Sequence, residues 1–293
     1  VRLLQQEKEQ NEDKEKTLEK ENLILISKIT EIQKRMNDHL KDMVTESDLE
    51  NLRMIPWIEM NKDLSKPIIV GQEGSIDLQR QIEICEYMIV MFKHKKRKDE
   101  YRIRCVNVGI YQTFINIFET WKLEDIRLQH IRAFQYLSFS ENDEIVQLFI
   151  SQHPFYGLHR ILDHSDNQIQ QRSINTIRNF IIFGANNTPV DEQHQFFTEL
   201  DSIGIIKQIY EIMNQKDSDK DSKDSIAICL GQIYKTRCIE NVLLKVDVIS
   251  YLKQMINDEK LWKRNESRKA LKFLEQNEVN KTEIEKDGFI IPT

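Results

Sequence analysis

The sequence predicts an all-α chain, a long N-terminal helix followed by a right-handed α-solenoid of stacked two- or three-helix repeats. Three observations carry that expectation. Only 8 Gly and 5 Pro punctuate 293 residues, too few for the turns of a β or α/β fold. Apolar residues recur with the helical period of about 3.6. From residue 76 onward, helices of the same apolar phase return at a nearly constant interval, which is the mark of a repeat architecture.

Residues 1–54 contain no Gly or Pro and are rich in Glu, Lys, Gln and Leu, so one long helix is expected. Leu4, Leu18, Leu25 and Ile32 supply d positions of a heptad, and Ile29, Met36 and Met43 supply a positions. Lys8, Glu15 and Asn22 at early a positions and Asn11 in the d series weaken the seam. A dimeric coiled coil and a helix folded back on the rest of the chain both remain open. Pro56, Pro67, Gly71 and Gly74 then mark residues 55–75 as a linker, with Trp57 packing the junction.

The solenoid is expected over residues 76–276, its first helix, 76–92, being the end of an incomplete repeat that caps the stack. Phe114, Leu158, Ile209 and Leu252 align at intervals of 44, 51 and 43 residues. The longer middle interval accommodates the polar insertion GANNTPVDEQHQ at 184–195. A following helix in each repeat aligns Ile131, Ile174, Ala227 and Ala270, and likewise Phe134, Ile177, Leu230 and Phe273. Small residues at one such site would let neighbouring helices approach closely. One repeat cannot bury its own apolar face, so the units must stack and leave a concave groove. Residues 277–293 read as a polar tail, ending in Phe289, Ile290 and Ile291, either disordered or packed back as a strap.

Composition excludes several roles. The 48 acidic and 42 basic residues leave a net charge of −6, which exerts no long-range attraction on nucleic acid or anionic lipid. Cys85, Cys105, Cys229 and Cys238 show no paired C-x-x-C spacing, as expected in a reducing cytoplasmic compartment, with nuclear or cytoskeletal association left open. No apolar run reaches the roughly 20 residues of a membrane span, and the opening residues lack a signal-peptide core. The chain begins on Val1, not Met, so further sequence upstream is expected.

The segment FISQHPFYGLHRILDHSDNQIQQRSINTIRNFIIFG, residues 149–184, with Asp166, Ile169 and Asn179 and a terminal N-F-x-x-x-G, resembles an armadillo repeat. The likeness extends over the HEAT- and armadillo-like solenoid region, and it implies a fold without specifying an activity. Importin-α-like members are expected to read basic peptides with a ladder of Asn and Trp. Here the Asn positions hold Tyr136, Asn179, Gln232 and Glu275, and the Trp positions hold Arg132, Asn175, Ile228 and Leu271. Only Asn179 fits, which argues against ordinary nuclear import. The same comparison implies groove-facing residues Gln129, Arg132, Tyr136, Arg172, Asn175, Asn179, Gln232 and Arg268. Such donor-rich side chains suit the backbone of an extended peptide and, through the Arg forks, carboxylates; the alternative is a merely solvated face.

No catalytic constellation survives inspection. Asp217, Asp219 and Asp221 sit at calcium-loop spacing, but Ser222 replaces the turn Gly and Ile228 the bidentate Glu, so a solvated loop is expected. His153, His159 and His164 lack metal-ligand spacing. No enzyme activity, cofactor or metal is expected. The basic run of Lys93, Lys95, Lys96, Arg97 and Lys98, extended by Arg102 and Arg104, forms a local patch for an acidic partner. The expected role is a scaffold or adaptor that binds a protein or peptide in the groove and oligomerises or is recruited through its N-terminal helix. The alternative is a regulator or exchange factor of a GTPase or chaperone ATPase.

Overall fold

A computed structural model of the chain describes residues 55–67, 72–93 and 99–292; the anticipated coiled coil over 1–54 lies outside them. Trp57–Thr293 form one compact unit. Among the described residues it is built from fourteen α-helices and two short 3-10 turns, with no strand.

The helices group into layers. α1 (Trp57–Leu64) and α2 (Gln72–Lys93) form a partial first layer. Three full repeats follow: α3 (Asp99–Asn107), α4 (Ile110–Thr120) and α5 (Leu128–Ser138); α6 (Asp143–Ile150), α7 (Phe155–Ile161) and α8 (Asn167–Asn186); α9 (Phe197–Ile203), α10 (Ile205–Met213) and α11 (Lys220–Ile233). The last layer holds α12 (Val242–Met255) and α13 (Leu261–Leu274), closed by α14 (Glu278–Ile284). The final helices of successive layers pack side by side, α2 on α5, α5 on α8, α8 on α11 and α11 on α13, while α1, α4 and α7 form a second row. All the residues aligned in sequence across the four repeats are buried along these rows.

Repeat corners follow the glycine pattern. Gly109 (φ 87) and Gly204 (φ 94) occupy the left-handed region at the α3–α4 and α9–α10 corners, where only glycine turns the chain without steric cost. His153, at φ 55, makes the α6–α7 corner. The last repeat has no such residue, so its first two helices run together as α12. Of the small residues expected to admit a close approach, Ala270 does so against Gly231, where a Cβ would lie 2.8 Å from the Ala270 Cβ, which places α11 and α13 in close contact.

One boundary differs from the sequence reading, and one open alternative is decided. The supposed linker contains α1, whose Trp57, Met60 and Leu64 recur at helical spacing and are buried. Asn61 ties α1 to the next corner, donating to the Val108 carbonyl at 2.8 Å and accepting from Thr113 Oγ1 at 2.7 Å. The buried Gln81 side chain donates to the Lys66 carbonyl at 2.7 Å, satisfying the end of α1. The stack therefore begins at Trp57; Pro56 precedes α1, Pro67 follows it and Gly74 lies within α2. At the other end, the polar tail is a strap. Asn280 in α14 is buried, accepts from the Ile239 N–H at 3.1 Å and donates to the Arg237 carbonyl at 2.7 Å.

The insertion after α8 is pinned by His194. Its Nδ1 accepts from the Phe196 N–H at 3.1 Å, so Nε2 carries the hydrogen and donates to the Ile181 carbonyl at 2.9 Å. His130 is buried in α5, where its Nδ1 accepts from the Arg127 N–H at 3.0 Å. Burial is the main cause that lowers both pKa values to about 4, with the nearby Arg127 and Lys235 charges adding to it. Both rings are neutral in the folded chain, whereas the unfolded chain titrates near 6.5. Their contribution is complete above pH 6.5 and is lost as the pH falls toward 4. Urea denaturation is expected to show a loss of roughly 2 kcal/mol per histidine between about pH 7 and about pH 5, and His194→Gln should flatten that pH dependence.

Candidate partner-binding face

The layer of final helices carries a polar ladder along its edge. Glu86 on α2 pairs with Arg132 on α5 at 3.6 Å. Gln135 on α5 accepts from Arg172 on α8 at 3.1 Å. Ser225 on α11 donates to Asn175 Oδ1 at 3.0 Å and accepts from Arg178 Nη1 at 2.8 Å, both on α8. Gln232 on α11 donates to Glu266 on α13 at 2.6 Å. Each pair of neighbouring final helices is thus joined by at least one side-chain bond, and polar groups half withdrawn from water find partners as burial requires.

This geometry sorts the residues named from sequence. Arg132, Arg172, Asn175 and Asn179 are half-buried and share the ladder edge, and Arg178 Nη2 donates to Asn179 Oδ1 at 3.4 Å. Gln129 and Tyr136 are half-buried on α5 beside them. Gln232 is fully buried, so its role is to bridge helices, not to meet a partner. Trp262, Glu266 and Lys269 on α13 face α8 and α11 through Arg178, Gln232 and Asn186, and Arg268 is half-buried on the same helix. Glu86, Gln135, Arg178, Ser225, Trp262 and Glu266 were not anticipated. A Trp in the otherwise polar run of α13 was the one available signal.

The basic patch shrinks. Lys93 and Arg104 are exposed, and Lys95, Lys96, Arg97 and Lys98 lie outside the described residues. Arg102 is buried instead: Nε donates to the Leu137 carbonyl at 3.1 Å and Nη2 to the Tyr136 carbonyl at 3.5 Å, with the guanidinium 5.1 Å from the Phe92 ring. It caps the C-terminal end of α5, where a cation is favoured, so it contributes nothing to a docking patch. His164 is equally structural, with Nε2 2.8 Å from the Leu123 carbonyl and Nδ1 accepting from the Asp166 N–H at 2.9 Å. Among the described residues no group of His, Cys, Asp and Glu could hold a metal ion, and no helix is long and apolar enough to cross a membrane.

No family model and no curated protein matches the sequence. Among solved structures, the chain is similar to a designed armadillo repeat protein in complex with the peptide (KR)4, at 14% identity over 80% of this chain and 88% of that one, with a TM-score of 0.56. This chain has an armadillo-type repeat fold. Two engineered proteins also align, at 14% and 13% identity, covering 85% and 84% of this chain and 97% and 98% of theirs, with TM-scores of 0.48 and 0.47.

Within the armadillo solenoid, the acidic run at 216–225 begins as the expected exposed loop and ends, within α11, as an ionic clasp. Asp219 caps α11, accepting from the Ser222 N–H at 2.9 Å. Asp224 is fully buried and binds the buried Lys263 ammonium, which also donates to Asp221 at 2.7 Å. Tyr251 donates to Asp224 Oδ1 at 2.9 Å, so α11, α12 and α13 meet at one carboxylate. Burial works against the Lys263 charge, but the hydrogen bonds to Asp221 and Asp224 outweigh it and raise the pKa above the ordinary lysine value. Lys263→Met is expected to lower the unfolding free energy by about 3–5 kcal/mol by stranding a buried charge, and adding Asp224→Asn should recover part of it in urea titration.

Proposed function

We propose that this chain is a protein-binding scaffold whose face over α2, α5 and α8 takes an extended segment of a partner. Asn175 and Asn179 form the centre of the reading. Each Oδ1 accepts from one of the chain's own donors, Ser225 or Arg178, which fixes the amide and leaves Nδ2, without an acceptor among the described residues, to meet a peptide carbonyl. An extended peptide has unpaired backbone groups all along its length, so fixed side-chain amides in a row recognise it without regard to its sequence. The peptide complex of the designed armadillo protein supports the same use of the fold.

Of the cations on this face, Arg132 is paired with Glu86, whereas Arg172 and Arg178 are hydrogen-bonded to the neutral Gln135 and Ser225 and keep their charge. An acidic partner segment would also meet Lys93 and Arg104, the exposed cations of the described basic stretch. Oligomerisation through residues 1–54 belongs to the same proposal and rests on their heptad pattern alone.

Displayed random peptides selected on the chain should yield binders, and the Asn175→Ala, Asn179→Ala double variant should bind them at least about tenfold more weakly. Selection that enriches nothing, or binders indifferent to both substitutions, would refute the reading.

A further inference from the structure

α11 is covered on every side. Each residue from Asp224 to Ile233 is buried, including those on the edge where α5 and α8 remain half open. α8, α10, α12 and α13 all pack on it, and on that edge α8 and α13 also reach each other. The Arg178 guanidinium on α8 lies 4.9 Å from the ring centroid of Trp262 on α13, and Lys269 on α13 donates to Asn186 at the end of α8. Two final helices with α11 between them therefore touch across it.

We propose that Arg178 and Trp262 form a closure over α11 that ends the partner-binding face, so that a partner engages α2, α5 and α8 and is stopped before α11 and α13. The position of the stop rests on the peptide reading above; the closure itself does not. Arg178 is suited to the task because it is tied on both sides, donating to Ser225 and Asn179 while its cationic plane meets the Trp262 ring. Trp262 stays 42% exposed, so the outer side of the closure faces solvent. Arg178 and Trp262 are in this sense the residues that set the length of the partner segment.

Cys229 reports the closure directly. It is buried on α11 close to the Arg178 charge, and burial pushes its thiol up to about 12. The full chain would be treated with N-ethylmaleimide and labelling followed at each cysteine by mass spectrometry. In Trp262→Ala and in Arg178→Ala, Cys229 should label at least about tenfold faster than in the wild type, because opening restores both access and thiolate formation. Cys85 and Cys105, buried elsewhere, should be unchanged, and Trp262→Phe, which retains an aromatic face, should stay slow. Cys229 labelling no faster than in the wild type, or faster only in step with Cys85 and Cys105, overturns the closure.

The stop is read by amide exchange with a peptide selected on the wild-type chain. New protection should fall on α5 and α8 in the wild type and spread to α13 in Trp262→Ala. Protection of α13 in the wild type overturns the stop. A selection that yields no peptide refutes the peptide reading alone, and the Cys229 rates still decide the closure.

Discussion

Every other feature of this chain depends on the stacking of its final helices. Each repeat exposes an apolar face that it cannot cover by itself, and the fold is the arrangement in which the next layer covers it. α11 shows the extreme case. Ile226, Leu230 and Ile233 lie on one face of the helix and Ile228 on the opposite one, and all are buried, so this helix has no solvent side over that stretch and depends on its neighbours. Close approach at Gly231 and Ala270 and the shared carboxylate of Asp224 fix the spacing between α11 and α13.

The candidate site is an edge of the same layer. Packed helices bring their flanking polar residues within reach of one another, and the ladder from Glu86 to Glu266 follows from that proximity. Its groups are held rigidly, which favours recognition because little side-chain freedom is left to lose on binding. They also consume much of their own hydrogen-bonding capacity. Asn175 and Asn179 keep their Nδ2 donors after the internal bonds are made and lie one helical turn apart, and this is why the peptide reading centres on α8.

Much of the architecture was legible because it is local. The shared apolar phase and the Asn179 position are readable within a single repeat. What was misread involves partners distant in sequence. Trp57, Met60 and Leu64 gain their meaning from α2 and α4, Arg102 from carbonyls at the end of α5, and Asp224 from Lys263. A run of charges cannot disclose which members will be buried until the neighbouring layer is placed. Arg178 was hidden for the same reason, since its ring partner lies on a helix two layers along.

The dependence of one layer on the next is tested most directly by circular dichroism of the isolated third repeat, a peptide covering residues 197–234. The peptide is expected to be largely unfolded with no cooperative thermal transition, because the faces that α8 and α13 cover would be open to water. A peptide that is helical and melts cooperatively by itself would contradict it.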